Sequence, residues 1–292
     1  MENIRMHIEE AIENSPRLLE DGSNVACQGT EGSYSQEAAN RIFRNPSILF
    51  FKNFEGVFSA IEKGLCRYGI LPIENSTAGS VNQIYDLMKE HRFYIVRSVR
   101  VKIDHSMLVK SGTRREDISE VYSHEQALAQ CEKYLDHYPG AERIICSNTA
   151  AAAKLVAESD SGGKAAIASR ECGALYGLEL LDRNIQDNDS NYTRFICISK
   201  ELEIYPGSDR TSLMAVLPHK AGSLYAVIKE FAEAGYNLTK LESRPLPNTE
   251  FEFMFYFDFE SSVYREDFID VIERVDGLCD KMEYLGSYSE KI

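Results

Sequence analysis

Apolar positions along the chain keep helical and strand periods in turn, and they divide it into three stretches. Over residues 2–14, Ile4, Ile8, Ala11 and Ile12 share one helical face while Glu2, Arg5, Glu9, Glu10 and Glu13 fall elsewhere, which predicts a short amphipathic helix. Pro16 and the turn Asp21-Gly22-Ser23-Asn24 close this N-terminal stretch, residues 1–23. From residue 24 to 200, short apolar runs (VAC, SILFF, YGILPI, FYIV, SMLV, EVYS, RIIC, AAIA, FICI) alternate with helical patterns. That alternation predicts an α/β domain with largely parallel sheets and helices on both faces.

After a turn-rich linker, residues 201–210, the pattern changes. TSLMAVL reads as a strand, Leu224, Val227, Ile228 and Phe231 as a helical stripe, and LTKLES as a second strand. In FEFMFYFDFE a phenylalanine stands at every second position, the period of a half-buried strand. Phe268, Val271, Ile272 and Val275 make a second stripe, and KMEYLGSY closes with a strand. The order βαββαβ predicts a ferredoxin-like module over residues 211–289.

Composition narrows the classes of function. With 32 Lys and Arg against 46 Asp and Glu, the net charge is −14. That balance argues against nucleic acid or an anionic membrane as the main partner, since either needs a basic face, although a few local donors suffice for a small anion. The longest stretch without a charge, Asn75 to Tyr85, has 11 residues, about half of a bilayer span. The N-terminus lacks a signal-peptide pattern, so the expected location is the cytoplasm. Seven scattered cysteines, none in a C-x-x-C pair, suggest reduced thiols rather than disulfides or zinc.

Candidate chemistry gathers in turns that precede helices. Ser33-Tyr34-Ser35-Gln36, Ser80-Val81-Asn82-Gln83 and Ser123-His124-Glu125-Gln126 share the spacing Ser-x-x-Gln of a capping box, and Ser147-Asn148-Thr149 opens the helix that follows it. Helix N-termini at strand ends would converge on one anion-binding crevice; the alternative is that each serine only caps its helix. Gly29-Thr30-Glu31-Gly32-Ser33 lacks the Lys-Ser/Thr of a P-loop and the third glycine of a dinucleotide fingerprint. His124 reads as a cap or polar contact rather than a base. The strings Leu71 to Ser80 and Asn191-Tyr192-Thr193-Arg194-Phe195 hold more polar groups than one cap needs and together suggest a site.

In order along the chain, GTEGSYSQEAA, GILPIENSTAGSV, YSHEQALAQC, SNTAAAAKLV, AAIASRECGALYGLELL and NYTRF resemble prephenate dehydratase, and LESRP resembles the tail's regulatory ACT domain. The resemblance covers Asn24 to about Ser287. It implies a two-lobed catalytic domain like periplasmic binding proteins, a site in the cleft, and a C-terminal ACT domain. The implied reaction takes prephenate to phenylpyruvate, water and carbon dioxide in phenylalanine biosynthesis, with no cofactor and no metal. Arogenate dehydratase is the near alternative, and a non-catalytic small-anion sensor the distant one.

Prephenate carries two carboxylates and a ring hydroxyl that must gain a proton as it leaves, so orientation and one donor matter more than a nucleophile. By resemblance Thr193 is the residue most tied to catalysis, its hydroxyl polarising the departing oxygen. Glu74 is expected to be a second candidate, a carboxylic acid raised in pKa beside the dianion. Asn75 stands with them in the catalytic set. Ser76, Thr77, Ser123, Gln126, Gln130, Asn148, Thr149 and Phe195 are expected to position substrate. Ser33 and Ser35 either bind a carboxylate or cap, and Arg194 pairs either with a substrate carboxylate or with the sheet edge. The ACT resemblance implies phenylalanine as effector, bound by Gly222, Ser223, Leu224, Asn237, Glu242, Ser243 and Arg244 where two modules pair. Such pairing would bury the open face of the module's sheet, so a homodimer or homotetramer is expected. The Glu242-Ser243-Arg244-Pro245 motif is intact, whereas G-A-L-V appears as Gly222-Ser223-Leu224-Tyr225, and Tyr225 puts the effector's fit in question. Only about 23 residues precede the first strand, so no chorismate mutase domain and no mutase activity are expected.

Overall fold

The computed structural model describes residues 4–160, 162–246 and 253–291. The amphipathic stretch folds as α1 (Ile4–Asn14). The first lobe follows: β1 (Asn24–Gln28), α2 (Tyr34–Ile42), β2 (Ser47–Phe51), α3 (Phe54–Glu62), β3 (Tyr68–Asn75), β4 (Gly79–Ser80), α4 (Asn82–Met88) and β5 (Tyr94–Lys102). The chain then crosses into a second lobe of β6 (Ser106–Val109), β7 (Glu120–Ser123), α5 (Glu125–Gln130), α6 (Glu132–Leu135), β8 (Glu142–Ile145), α7 (Thr149–Glu158), β9 (Lys164–Ala168), α8 (Arg170–Tyr176) and β10 (Glu179–Arg183). It returns through β11 (Tyr192–Ser199). The last module is β12 (Arg210–Val216), α9 (Ser223–Glu233), β13 (Asn237–Pro245), β14 (Phe253–Glu260), α10 (Phe268–Asp276) and β15 (Lys281–Tyr288), followed by β16 (Glu290–Lys291).

The two crossings decide strand direction. In the first lobe, ordered β16-β5-β11-β3-β1-β2, β1 runs parallel to β2 and β3, but the returning β11 is antiparallel to both neighbours, β3 and β5. In the second lobe, ordered β10-β6-β9-β7-β8, β7 is parallel to β8 and β9, whereas β6 is antiparallel to β9 and β10. The expected largely parallel sheets are thus mixed ones. A strand re-entering from the other lobe arrives from the opposite end, which hydrophobic period cannot reveal.

The C-terminal module has the expected βαββαβ order, with sheet order β13-β14-β12-β15 and every pairing antiparallel. Phe257 and Phe259 are buried with Val227, Phe231, Phe268 and Ile272 of its two helices, and Phe255 packs beside them. Phe251, the first of the alternating phenylalanines, lies outside the described residues. Ile8 and Ala11 of α1 join this core, and Arg5 bridges Glu273 and Asp270 of α10. The N-terminal helix is therefore a piece of the C-terminal module's packing.

The module's other face is covered as well. Met214, Met254, Tyr256, Leu285 and Tyr288 form one buried cluster with Leu71, Ile73, Tyr85, Ile196 and Ile198 of the first lobe. This corrects the reason given for oligomerisation: the sheet face expected to need a second copy is buried within one chain. Contact here is backbone-close, because Gly286 has φ +130° and a Cβ at that position would lie 2.5 Å from the Ile95 carbonyl oxygen. The chain end then adds β16 alongside β5 in parallel. Gly286→Ala should therefore lower stability by roughly 2–4 kcal/mol through strain and overpacking, read as a shifted denaturation midpoint. Gly64→Ala, where a Cβ meets open space, should cost only about 1 kcal/mol.

Candidate active site

Between the lobes lies a cavity of about 480 Å³, walled by the ends of β3 and β11, the crossing before β6, and the starts of α2, α5 and α7. A bulge in β3 shapes it. Thr193 pairs with Asn75 and Arg194 with Glu74, but Phe195 pairs with Pro72, leaving Ile73 as the extra residue. Pro72 and Asn75 consequently share the cavity face, with Thr193 and Phe195 beside them, while Ile73 turns into the cluster under the C-terminal module.

Hydrogen bonding fixes the orientation of the polar groups. Asn75 Oδ1 accepts from the backbone N–H of Thr77 (3.0 Å) and of Ala78 (2.9 Å). Its Nδ2 is therefore the donor end, giving one bond to Thr193 Oγ1 (3.0 Å) and one to Asn191 Oδ1 (2.8 Å). Because Thr193 Oγ1 already accepts, the hydroxyl's own proton is available to the cavity it lines. The chain continues: Asn191 Nδ2 donates to Gln130 Oε1 (3.0 Å), which also lies 3.1 Å from His105 Nε2. Since Gln130 Oε1 is an acceptor, His105 carries its hydrogen on Nε2. His105 is 2 % exposed, and burial lowers its pKa below the ordinary histidine value against the opposing pull of Gln130 and Asp104.

Two long helices aim their first turns at the same space. Ser33 caps α2 by accepting from the Gln36 N–H at 3.4 Å, and Asn148 caps α7 by accepting from the Ala151 N–H at 2.8 Å. Ser35, Ser147 and Thr149 line the wall beside them, as do Gln126 and Gln130, one turn apart on α5. His124 is the cap of α5, its Nδ1 accepting from the Gln126 N–H at 3.3 Å. Among the described residues, none that lines the cavity is Lys, Arg, Asp or Glu.

Several expected site residues lie elsewhere. Glu74, next to Asn75 but on the opposite face, accepts from Lys240 Nζ of the C-terminal module at 2.8 Å, so it is not a proton donor in the cleft. Arg194 is buried against Asp258, Tyr288 and Glu290, which corrects its reading as a substrate-carboxylate partner: it is an interdomain anchor. Ser76 bonds the Ser190 carbonyl and the Tyr192 N–H, and Thr77 contributes its backbone to Asn75, both outside the cavity lining. Ser123 is fully buried and donates to the Ile167 carbonyl at 2.7 Å, leaving the cap to His124. Ser80 is likewise no cap; its hydroxyl bonds Glu242 and Lys240. Spacing identified the turns but not the register of the residue that caps. Sequence reading passed over Gln28, Phe54 and His105, and named Tyr34 and Gln83 only as members of capping turns, yet all five line the cavity. Asp104-His105 standing between two apolar strands was the available signal for a crossing.

The effector set divides between two faces of the C-terminal module. Ser223 and Leu224, after the α9 cap Gly222, line a second cavity of about 370 Å³ with Leu217, Pro218, Phe253 and Phe255. Ser243 pairs with Phe255 across the sheet. Tyr225 is 69 % exposed and outside that lining, so its size does not fill the cavity. Glu242 and Arg244 instead face the first lobe: Glu242 takes Ser80, and Arg244 holds Asp86 at 2.7 and 3.0 Å, keeping that carboxyl below its usual range. Asn237 donates to Glu260 at 2.9 Å.

Comparison with known proteins agrees with this architecture. The prephenate dehydratase family model matches residues 25–203. A bifunctional chorismate mutase/prephenate dehydratase of Pseudomonas aeruginosa is 36 % identical over 285 residues, covering 96 % of this chain and 77 % of its own. An arogenate dehydratase/prephenate dehydratase of Arabidopsis thaliana is 35 % identical over 309 residues, covering 97 % and 81 %. A crystal structure of prephenate dehydratase from Arthrobacter aurescens in complex with L-Phe superposes with a TM-score of 0.83 at 27 % identity, covering 91 % of this chain and 89 % of that one. The lobes, the cleft with its threonine and asparagine, and these matches have one conclusion: the chain belongs to the prephenate dehydratase family, whose members are dehydrating lyases.

Proposed function

We propose that this chain converts prephenate into phenylpyruvate, water and carbon dioxide in the cleft, and that phenylalanine bound to the C-terminal module restrains it. The observation that carries the activity is the cavity's chemistry: a hydroxyl, Thr193, held with its proton free, among neutral donors and helix N-termini. Two substrate carboxylates find N–H and O–H groups there, and no side-chain carboxylate repels them. Asn75, Ser33, Ser35, Gln126, Gln130, Asn148, Thr149 and Phe195 position the ligand in this reading. Arogenate differs by an ammonium where prephenate has a keto oxygen. With no Asp or Glu among the lining residues to pair it, the cavity favours prephenate.

Feedback has a route in β13. Ser243 is paired with Phe255, which lines the smaller cavity, while Lys240, Glu242 and Arg244 of the same strand hold Glu74, Ser80 and Asp86 of the first lobe. An effector that shifts this strand would act on Glu74, the residue preceding Asn75. By linkage, effector and substrate then weaken each other's binding equally. Homo-oligomerisation in this proposal uses the open edge of β13, where Leu241 and the neighbouring Phe253 are each 40 % exposed. A cytoplasmic location suits the seven free thiols, and among the described residues no helix is long and apolar enough to cross a membrane.

Incubation with prephenate should produce phenylpyruvate, followed by its ultraviolet absorbance; absence of turnover by the intact chain would refute the activity. Thr193→Ala should lower kcat by about 10²–10³-fold, with KM within about threefold, because the lost hydroxyl acts mainly on the departing oxygen. Glu74→Gln should keep kcat within about threefold of the parent, since the carboxylate is outside the cleft, and should weaken inhibition by phenylalanine by about 5-fold or more. Steady-state assays with and without phenylalanine measure both.

A further inference from the structure

With Glu74 turned onto the C-terminal module, the reaction proposed above lacks a proton source. The leaving ring hydroxyl departs as water only if it gains a proton, and an alcohol such as Thr193 is far too weak an acid to surrender one at neutral pH. Among the described lining residues, the Tyr34 phenol is held well above its ordinary pKa by burial, which leaves two histidines as groups that ordinarily exchange a proton near neutral pH. His124 spends Nδ1 as the cap of α5, so charging its ring would break that cap. His105 is different. Its Nε2–H is committed to Gln130, its backbone N–H to Gln186 at 2.9 Å, and its Nδ1 is buried without a hydrogen-bond partner.

We infer that His105 is the general acid of the reaction, taking up a proton on Nδ1 when the dianionic substrate enters and delivering it to the departing hydroxyl. This rests on the prephenate reading of the cleft. In the step, the Nδ1–H bond breaks and an O–H bond forms on the ring hydroxyl. The C–O bond cleaves with its electron pair leaving on water. The bond to the ring carboxylate breaks, its electrons complete the aromatic ring, and carbon dioxide departs. His105 is left neutral with its hydrogen on Nε2, and water restores the proton on Nδ1 in the next cycle.

The surroundings suit a proton that arrives with the ligand. In the free protein, burial lowers the ring's pKa and so favours its neutral form. Two added negative charges in the same cavity favour the imidazolium. The ionisable neighbours leave that charge as the change that matters. Tyr34 of α2 meets the ring edge-on at 6.3 Å between centroids, with its hydroxyl spent on the Asp104 carbonyl at 2.8 Å. The Asp104 carboxylate is paired with Lys102 at 2.8 Å and also accepts from Gln186, which bonds Asp189 in turn. From α5 the contact is Gln130, which is neutral.

His105→Gln tests the assignment, because glutamine retains a donor near the Nε2 position and removes the nitrogen that titrates. Expected are a kcat about 10²-fold lower, a KM within about threefold, and loss of the decline in kcat as pH rises through the histidine pKa of the complex. A kcat within threefold of the parent with the alkaline decline intact would overturn the assignment. A second measurement avoids the variant's folding: ¹⁵N-histidine NMR of Thr193→Ala with prephenate added at pH 7.5. The ring in contact with Tyr34 should pass from the neutral Nε2–H form to the doubly protonated one, and a ring that stays neutral would overturn the assignment equally. Wild-type turnover beside an unaffected His105→Gln sinks this inference alone, whereas a wild type inert toward prephenate sinks the activity.

Discussion

Two backbone N–H groups, those of Thr77 and Ala78, settle the polarity of the whole cleft. By claiming Asn75 Oδ1 they turn the amide so that its donors face Thr193 and Asn191, and every later bond inherits that direction out to His105. A buried side-chain amide with free rotation would leave Thr193 Oγ1 as donor or acceptor by chance. The tight turn after β3 removes that freedom before any ligand arrives. Preorganisation of this kind is what an elimination driven by aromatisation needs, since the chemistry itself requires no nucleophile.

The same two strands serve opposite purposes on their two faces. On β11, Thr193 and Phe195 line the cleft, while Arg194 between them is buried with Asp258, Tyr288 and Glu290. A charge so placed is costly to desolvate and is tolerated because three partners surround it. On β3 the bulge at Ile73 lets Asn75 face the cleft and Glu74 the C-terminal module. The cleft contact and the contact with the C-terminal module are thus one residue apart in sequence and on opposite faces of the sheet. The helix-free face of the C-terminal sheet is closed against the first lobe through Gly286 and the Met254 and Tyr256 side chains.

The hydrophobic pattern by itself determined most strands of the two lobes and the βαββαβ order, cap spacing marked the turns that open α2 and α7, and the resemblance of the motif strings singled out Thr193 and Asn75. These are local properties: period, cap and turn chemistry act over a few residues. Tertiary structure alone decided strand direction in β6 and β11, the packing of α1 on α10, and which neighbour in each motif reaches the cleft. Glu74 and Asn75 are equally polar in the string, and only the bulge assigns them to different faces. Ser123 and His124 competed for one cap, and burial of Ser123 under the Ile167 carbonyl gave it to the histidine. His105 was invisible for the same reason: a polar residue between two strands acquires meaning only when the crossing it marks folds against Gln130 and Tyr34 from elsewhere in the chain.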